Sequence, residues 1–159
     1  MTSARLTAAA AAGFLCAFVA SAQSSTAAES ASKSVVVDLP FSESVKVGNM
    51  LYLSGQIGIV PGTDTLVKGG IEGETRQAMN NIKAILKTSG YSMSNLVKCT
   101  AMLSDMSNWE RFNAVYRSFF DGRFPARSTF GVTGLALGAQ VEIECMAAVT
   151  NPDATKRLR

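Results

Sequence analysis

The feature that most constrains this chain is an alternating segment near its C-terminal end. From Val141 to Ala147, apolar Val, Ile, Cys and Ala alternate with Glu, Glu and Met. Because successive side chains of a β-strand point to opposite faces of a sheet, the segment is predicted to be a strand with Glu142 and Glu144 on one face and its apolar residues on the other. Such a strand belongs in a sheet that is covered on one side.

A second strand is predicted just upstream, where a proline introduces an arginine. Pro125 fixes its own backbone and pushes Phe124 towards an extended conformation, so Arg127 lies at the start of a strand rather than in a helix. A guanidinium offers parallel N–H groups that match a planar carboxylate, which a lysine cannot do. We therefore hypothesise that Arg127 binds a carboxylate while Glu142 handles a water or a proton nearby. From the residues alone, Glu144 is an equal candidate for that second role.

Two amphipathic helices are predicted in the middle of the chain. The first, at about 72–89, carries its apolar residues on one face and is followed by Gly90, which suits a left-handed C-terminal cap. The second, at about 108–121, carries a wide aromatic stripe that we interpret as core. Ser107 and Glu110 have the spacing of a capping box at its start.

The remaining strands complete a two-layer arrangement. A hairpin is predicted at 44–54 with a Gly-Asn turn, a further strand at 95–104, and a first edge strand at 35–37. The order strand, strand, helix, strand, helix, strand, strand predicts a two-layer α+β domain in which both helices cover one face of a sheet. The other face then needs solvent or a partner.

Composition and charge exclude several kinds of site. The chain has 159 residues, a formal charge of +3 and no histidine. Its Lys and Arg residues are not clustered, which argues against a nucleic-acid groove. The lack of histidine removes His-based triads, histidine acid–base chemistry and most zinc patterns. Since no cysteine pair has zinc spacing and the acidic residues form no calcium-loop pattern, we predict no metal and no organic cofactor.

Two cysteines lie on the apolar sides of predicted strands. Thiols in core strands most often behave as small hydrophobic groups, and this is what we expect of Cys99 and Cys145. The alternative is a disulfide, which requires an oxidising compartment and α-carbons within about 7 Å of each other.

Both ends of the chain are predicted to lie outside the folded domain. Residues 1–22 have the order of an export signal, with Arg5, an apolar run and then small residues for cleavage. Since the run is short for a membrane span, we expect a periplasmic or secreted protein that is not membrane-bound after cleavage; an organelle or the cytosol is the alternative. Residues 23–34 are predicted to be a disordered lead-in, and residues 151–159 a solvated tail.

Three ordered motifs resemble one known family. They are Val45-Lys-Val-Gly-Asn-Met-Leu-Tyr-Leu-Ser-Gly-Gln-Ile57, then Leu96-Val-Lys-Cys-Thr-Ala-Met-Leu-Ser-Asp105 leading into Asn113-Ala-Val-Tyr116, and lastly Phe124-Pro-Ala-Arg-Ser with its arginine fifteen residues before Glu142. Over about residues 36–149 the chain resembles the RidA (YjgF) family of enamine/imine deaminases. The resemblance implies a RidA-like domain at 35–150, with a chorismate-mutase-like fold whose mixed sheet is covered by two helices. It also implies a homotrimer with the ligand pocket between subunits.

The resemblance further implies an enzymatic activity. The expected reaction is cofactor-independent hydrolysis of reactive 2-imino or enamine acids, of the 2-iminobutanoate/2-iminopropanoate type, to 2-oxo acids and ammonia. Arg127 would hold the carboxylate, and the family spacing selects Glu142 over Glu144 as the group that positions water. If the two side chains lie close together, we expect the arginine to lower the pKa of the glutamate.

Four further residues are nominated by the same resemblance as substrate-binding. Ser54 and Gly55 form the strand end that lines the pocket in the family. Thr129 stands where some members carry a cysteine, and Phe41 stands where members commonly carry a tyrosine, so the phenolic hydroxyl is missing here. Asn113 and Tyr116, on the second helix, match family residues that we interpret as helix packing.

The sequence is also compatible with two other functions. One is a non-catalytic protein that binds small carboxylates through the same arginine, which the missing hydroxyl at Phe41 favours. The other is a holdase-type chaperone, as in some relatives of the family that it resembles.

Overall fold

The part of the chain that the computed structural model describes, residues 40–148, forms a mixed sheet covered on one face by two helices. The predicted export signal, lead-in, first edge strand at 35–37 and C-terminal tail all lie outside the described residues. The strands are β1 Ser44–Val47, β2 Met50–Leu53, β3 Gln56–Ile57, β4 Leu96–Leu103, β5 Ala126–Gly131 and β6 Val141–Ala148, and the helices are α1 Gly70–Thr88 and α2 Trp109–Arg117.

The sheet places β6 at its centre and β5 at one edge. Its order is β1-β2-β6-β4-β5, with β3 also paired to β6 beyond the end of β2. β4 and β5 run parallel because α2 carries the chain back between them, while the other pairs are antiparallel. This confirms the predicted two-layer α+β fold with a mixed sheet.

The two faces of the sheet differ in burial. On β6, and on β4 from Cys99 onward, every second residue is buried beneath the helices, and we call this side the covered face. The residues between them, including Glu142 and Glu144, lie on the open face, as the alternation of β6 predicted. The covered face is closed mainly by fully buried apolar residues of both layers: Ile71, Met79, Ile82, Leu86, Leu96, Leu103, Phe112, Val141 and Ile143.

The first helix follows the prediction closely. Residues of α1 that are buried against the sheet recur with helical spacing, and the helix ends at Thr88 with Ser89 as its C-cap. Gly90 has a φ of 83°, the left-handed conformation expected of a glycine in this position. Neither helix of the described residues combines the length and apolar character that a membrane span requires.

The start of α2 differs from the predicted capping box. The side chain of Asp105 accepts hydrogen bonds from the Ser107 backbone N–H at 2.8 Å and from the Ser107 hydroxyl at 2.7 Å. Because Ser107 serves as a donor to Asp105, a short helical turn at Met106–Asn108 precedes α2 and the helix begins at Trp109. α2 also ends at Arg117, so the helix is shorter than the sequence suggested.

The expectation of two free core thiols was wrong. Cys99 of β4 and Cys145 of β6 are direct partners across the antiparallel pair, and they form a disulfide with their α-carbons 4.1 Å apart. Both side chains are buried on the covered face. Alternation along each strand put both cysteines on the apolar side, but only the register of the two strands places them opposite each other.

Candidate functional site

Arg127 extends from β5 along the covered face towards α2. It pairs in register with Cys99, whose side chain is buried on that face. Its Nη2 donates a hydrogen bond of 2.7 Å to Oδ1 of Asn113 on α2. Its guanidinium carbon also lies over three aromatic rings of α2, at 4.6 Å from the ring centre of Tyr116, 5.1 Å from Phe112 and 5.2 Å from Trp109. The cation is therefore held by an amide and by aromatic faces.

The charge of Arg127 is not balanced within the described part of the chain. The ion pairs among residues 40–148 are Arg111–Glu72 and Arg123–Asp121, and neither involves Arg127. Burial lowers the pKa of Arg127, with a smaller opposing contribution from Tyr116, but an arginine starts so high that the group stays charged at neutral pH. A partly buried cation without a counter-ion is suited to an anionic ligand.

Two hydroxyl groups near this cation are buried without a hydrogen-bond partner among the described residues. They belong to Tyr116, whose ring lies against the guanidinium, and to Thr129, two residues after Arg127 on the same face of β5. Burial raises the pKa of Tyr116 to about 12, opposed in part by the positive charge of Arg127, so its hydroxyl stays protonated. Since buried hydroxyls ordinarily have partners, these two mark a region that can receive polar atoms.

Glu142 lies elsewhere, on the open face of β6 beside the end of β2. A Cβ atom at Gly55 would collide with Oε1 of Glu142, so the glycine is required for this close approach. Burial raises the pKa of the Glu142 carboxyl above its ordinary value, and the negative charge of Glu144 raises it further. Glu142 is therefore a stronger base than an exposed glutamate.

Of the other predicted pocket residues, Gly55 contacts Glu142, and Ser54 precedes Gly55 in the chain. The Ser54 hydroxyl donates a 2.6 Å hydrogen bond to the carbonyl of Ser42, and the Ser54 backbone N–H donates to the carbonyl of Glu43. These bonds fix the segment that carries Phe41, whose side chain is 56% exposed. Phe41, Ser54, Gly55 and Glu142 form what we call the Glu142 half-site. Asn113, Tyr116, Arg127 and Thr129 form the Arg127 half-site.

Within one chain the two half-sites are separated. Arg127 projects from the covered face and Glu142 from the open face, and β4 lies between their strands. The condition under which Arg127 would lower the pKa of Glu142 is therefore not met within a single chain, where the pKa is raised and its causes do not include the arginine. In the described part of the chain the residues of each half-site lie near one another, but the two half-sites do not form one site.

A separate hollow of about 120 Å³ lies on the open face of the sheet. Tyr52, Lys98, Thr100, Glu144 and Met146 contribute to its lining, which includes no residue of either half-site. Lys98 donates a 2.7 Å hydrogen bond to the Ser128 hydroxyl there. Among the described residues there is also no group of three or more His, Cys, Asp or Glu side chains that could hold a metal ion.

None of the contacts between Arg127 and α2 was recognised from the sequence. Asn113 was interpreted as helix packing, and Trp109 was not considered. Their spacing of four residues places them on one face of a helix, which is the available signal. That spacing alone does not identify which strand residue the face contacts.

Comparisons with known proteins agree with this architecture. Residues 32–149 match the family model described as endoribonuclease L-PSP. The 2-iminobutanoate/2-iminopropanoate deaminase of Mus musculus is 41% identical over 108 residues, covering 68% of this chain and 80% of the mouse protein. The crystal structure of RidA from Psychrobacter sp. has a TM-score of 0.67 at 36% identity, covering 70% of this chain and 89% of that one. TdcF of E. coli with bound serine has a TM-score of 0.66 at 31% identity, covering 69% and 88%.

Proposed function

Because this chain belongs to the endoribonuclease L-PSP (RidA/YjgF) family, we propose that it hydrolyses 2-imino acids such as 2-iminobutanoate and 2-iminopropanoate. The products are the corresponding 2-oxo acids and ammonia. The observation that carries this proposal is the partly buried guanidinium of Arg127, which has no counter-ion among residues 40–148. The name of the mouse relative, 2-iminobutanoate/2-iminopropanoate deaminase, supports the choice of substrate.

Arg127 binds the substrate carboxylate in this proposal. Two parallel charge-assisted hydrogen bonds fix the planar carboxylate and, with it, the adjacent imine carbon. The buried hydroxyls of Tyr116 and Thr129 supply further polar contacts on the same face. Imines hydrolyse readily, so much of the catalytic effect comes from holding the reacting atoms in position.

Glu142 activates the attacking water. Its carboxylate takes a proton from water as the oxygen bonds to the imine carbon, and passes that proton to the nitrogen as the C=N double bond becomes single. The carboxylate then takes the hydroxyl proton and transfers it to the amino nitrogen, so that the C–N bond breaks and ammonia leaves as the carbonyl forms. The raised pKa of Glu142 suits it to accept the first proton.

The separation of the half-sites supports an assembly in which two chains build each site. Arg127 of one chain would face Glu142 of the next, because their own sheet keeps them apart. A contact between two different surfaces of identical chains closes into a ring when the rotation permits, and a homotrimer is the simplest ring larger than a dimer. We propose this trimer, with the site at each subunit boundary.

Hydrolysis of imines is favoured over RNA cleavage for this chain. The family description names an endoribonuclease, but the sequence has no histidine for acid–base catalysis and no block of Lys and Arg for phosphate binding.

A non-catalytic carboxylate-binding protein is the second candidate. Phe41 lacks the phenolic hydroxyl that relatives commonly present, and a single chain holds Arg127 without Glu142 beside it. In that case 2-oxo acids would bind without any turnover of imines.

Export to an oxidising compartment is also part of the proposal. The Cys99–Cys145 disulfide supports it, because disulfides persist mainly in secreted, periplasmic and similar proteins. The order of charged, apolar and small residues in positions 1–22 supports it independently.

Release of ammonia tests the activity. An amino-acid oxidase generates the imine in situ, and the protein is expected to accelerate ammonia release. Arg127→Ala is expected to lower kcat/KM by about 100-fold or more, since it removes a charge-assisted carboxylate contact. Arg76→Ala, which removes an exposed arginine of α1, is the matched control and should behave as wild type. Wild-type kcat/KM in the Arg127→Ala variant would contradict the mechanism.

A further inference from the structure

We propose that Asn113 is a positioning residue that holds the Arg127 guanidinium through a neutral acceptor. The guanidinium then keeps both its orientation and its full positive charge for the ligand. This inference rests on the proposed function, because it concerns the same carboxylate-binding site. The amide of Asn113 acts through Arg127 and is not assigned a contact with the substrate.

Two kinds of contact orient the Arg127 guanidinium: aromatic rings beside it and one hydrogen bond. The ring of Tyr116, 4.6 Å from the guanidinium carbon, opposes displacement of the group towards α2, and Phe112 and Trp109 limit its movement on the same helix. Ring contacts leave the group free to rotate within its own plane. The 2.7 Å hydrogen bond from Nη2 to Asn113 Oδ1 removes that rotation and so determines which N–H edge faces outward.

The neutrality of the acceptor is the second part of the inference. An aspartate has nearly the same shape and would hold an arginine more strongly, because both partners would be charged. It would also neutralise the guanidinium and compete with the ligand carboxylate. Among residues 40–148 the ion pairs are Arg111–Glu72 and Arg123–Asp121, and Arg127 has an amide where those arginines have carboxylates.

Position on α2 gives Asn113 its role. It lies four residues after Trp109 and three before Tyr116, so one face of the helix presents the amide and two of the rings to β5. Arg127 is the second residue of β5, which begins directly after Pro125. One face of α2 therefore holds the side chain of Arg127, which lies near the N-terminal end of edge strand β5.

The Asn113→Asp variant distinguishes the positioning of the Arg127 guanidinium from the neutrality of its acceptor. Binding of 2-oxobutanoate, a 2-oxo acid of the product class, is measured by calorimetry, and stability by urea unfolding. We expect Asn113→Asp to be as stable as wild type or more so, yet to bind 2-oxobutanoate about tenfold more weakly or worse, because the guanidinium is neutralised. In the imine assay KM should rise by a similar factor with kcat changed little, as expected when ground-state binding is lost.

Asn113→Ala provides the complementary variant. It keeps the charge of Arg127 but removes the in-plane constraint, so a smaller loss of affinity is expected, about threefold to tenfold. Asn80→Asp, which makes the same chemical change at an exposed position of α1, is the matched control and should bind as wild type. If Asn113→Asp fails to fold, Asn113→Ala and Asn113→Ser carry the test through the same affinity and KM measurements.

The outcomes separate this inference from the proposed function. Wild-type affinity in folded Asn113→Asp, together with lost binding in Arg127→Ala, would overturn the inference while leaving the carboxylate site intact. Loss of binding that only follows loss of stability would also overturn it. Weaker 2-oxobutanoate binding by Asn113→Asp, in a protein that never hydrolyses imines, would support the inference and refute the deaminase activity.

Discussion

The two glutamates on the open face of β6 have unequal surroundings. Glu142 is partly buried next to Gly55, whereas Glu144 is exposed. Burial first, and the charge of Glu144 second, raise the pKa of Glu142. A base with a raised pKa takes a proton from water more readily, but it becomes protonated at a higher pH. The same shift means that any stability this group contributes is present at low pH and is lost as the pH rises through its folded-state pKa.

The pH dependence of the reaction should report this environment. With Glu142 as the base, kcat/KM is expected to fall as the pH decreases through the pKa of Glu142, which burial and Glu144 raise and which an Arg127 from a neighbouring chain would lower. Glu144→Gln should move that limb to lower pH, but only in part, because burial is the larger cause. Rate profiles of wild type and variant provide the measurement.

A matched variant controls for loss of negative charge. Asp64→Asn removes a carboxylate from an exposed loop and should leave the profile unchanged. An acid limb that moves to higher pH in Glu144→Gln, or does not move at all, would show that Glu142 is not the titrating base.

At the level of elements, the disulfide joins the two central strands of the covered face. Cys99 and Cys145 are 46 residues apart in sequence, and the link spans α2 and β5 as well as the loops around them. Closing a loop of that size restricts the unfolded chain. Because both sulfurs are buried, solvent reaches them only when the sheet opens.

Reduction is expected to destabilise the protein. After reduction in denaturant and refolding in reductant, the free energy of unfolding in urea should be about 2–4 kcal/mol lower than for the oxidised protein. The Cys99→Ala/Cys145→Ala variant should be insensitive to reductant. Thiol labelling of the denatured protein should yield two more thiols after reduction than before. Equal unfolding midpoints with and without reductant would contradict a stabilising disulfide.

Local patterns predicted most of the elements. The alternation of β6, the apolar face of α1 and the proline before β5 each depend on neighbouring residues, so the sequence contained the information. The start of α2 lies close to the predicted position, but the predicted capping box does not form, because Ser107 donates to the side chain of Asp105.

Relations between elements were harder to predict. Arg127 and Glu142 were identified individually, but their faces depend on which strands pair and in which register. The disulfide depends on the same register. The Asn113–Arg127 bond depends on how α2 lies across β5, which no local pattern encodes.

At the level of the whole molecule, each chain carries two different half-sites. Arg127 lies on edge strand β5, and Glu142 lies on central strand β6 beside the turn that carries Gly55. If the sites form between chains, a chain that lacks one group can still supply the other. Mixed assemblies of two inactive variants should then contain working sites.

Complementation tests this arrangement. Arg127→Ala and Glu142→Gln are each expected to be inactive, but equal amounts refolded together should recover about a quarter of wild-type activity. That value follows because about three-quarters of random trimers are mixed, and about one site in three of those is intact. Variants refolded separately and then mixed serve as the control. No recovery in assemblies that mass spectrometry shows to be mixed would place both groups in one chain's site.

The contact between Gly55 and Glu142 has a consequence for natural diversity. The Glu142 carboxylate occupies space that a Cβ atom at position 55 would enter. Any side chain at position 55 would require the Glu142 carboxylate to move, whereas Arg127, on the other face of the sheet, would stay in place. The residue at this position therefore indicates whether a homologue can hold its glutamate where this chain holds Glu142.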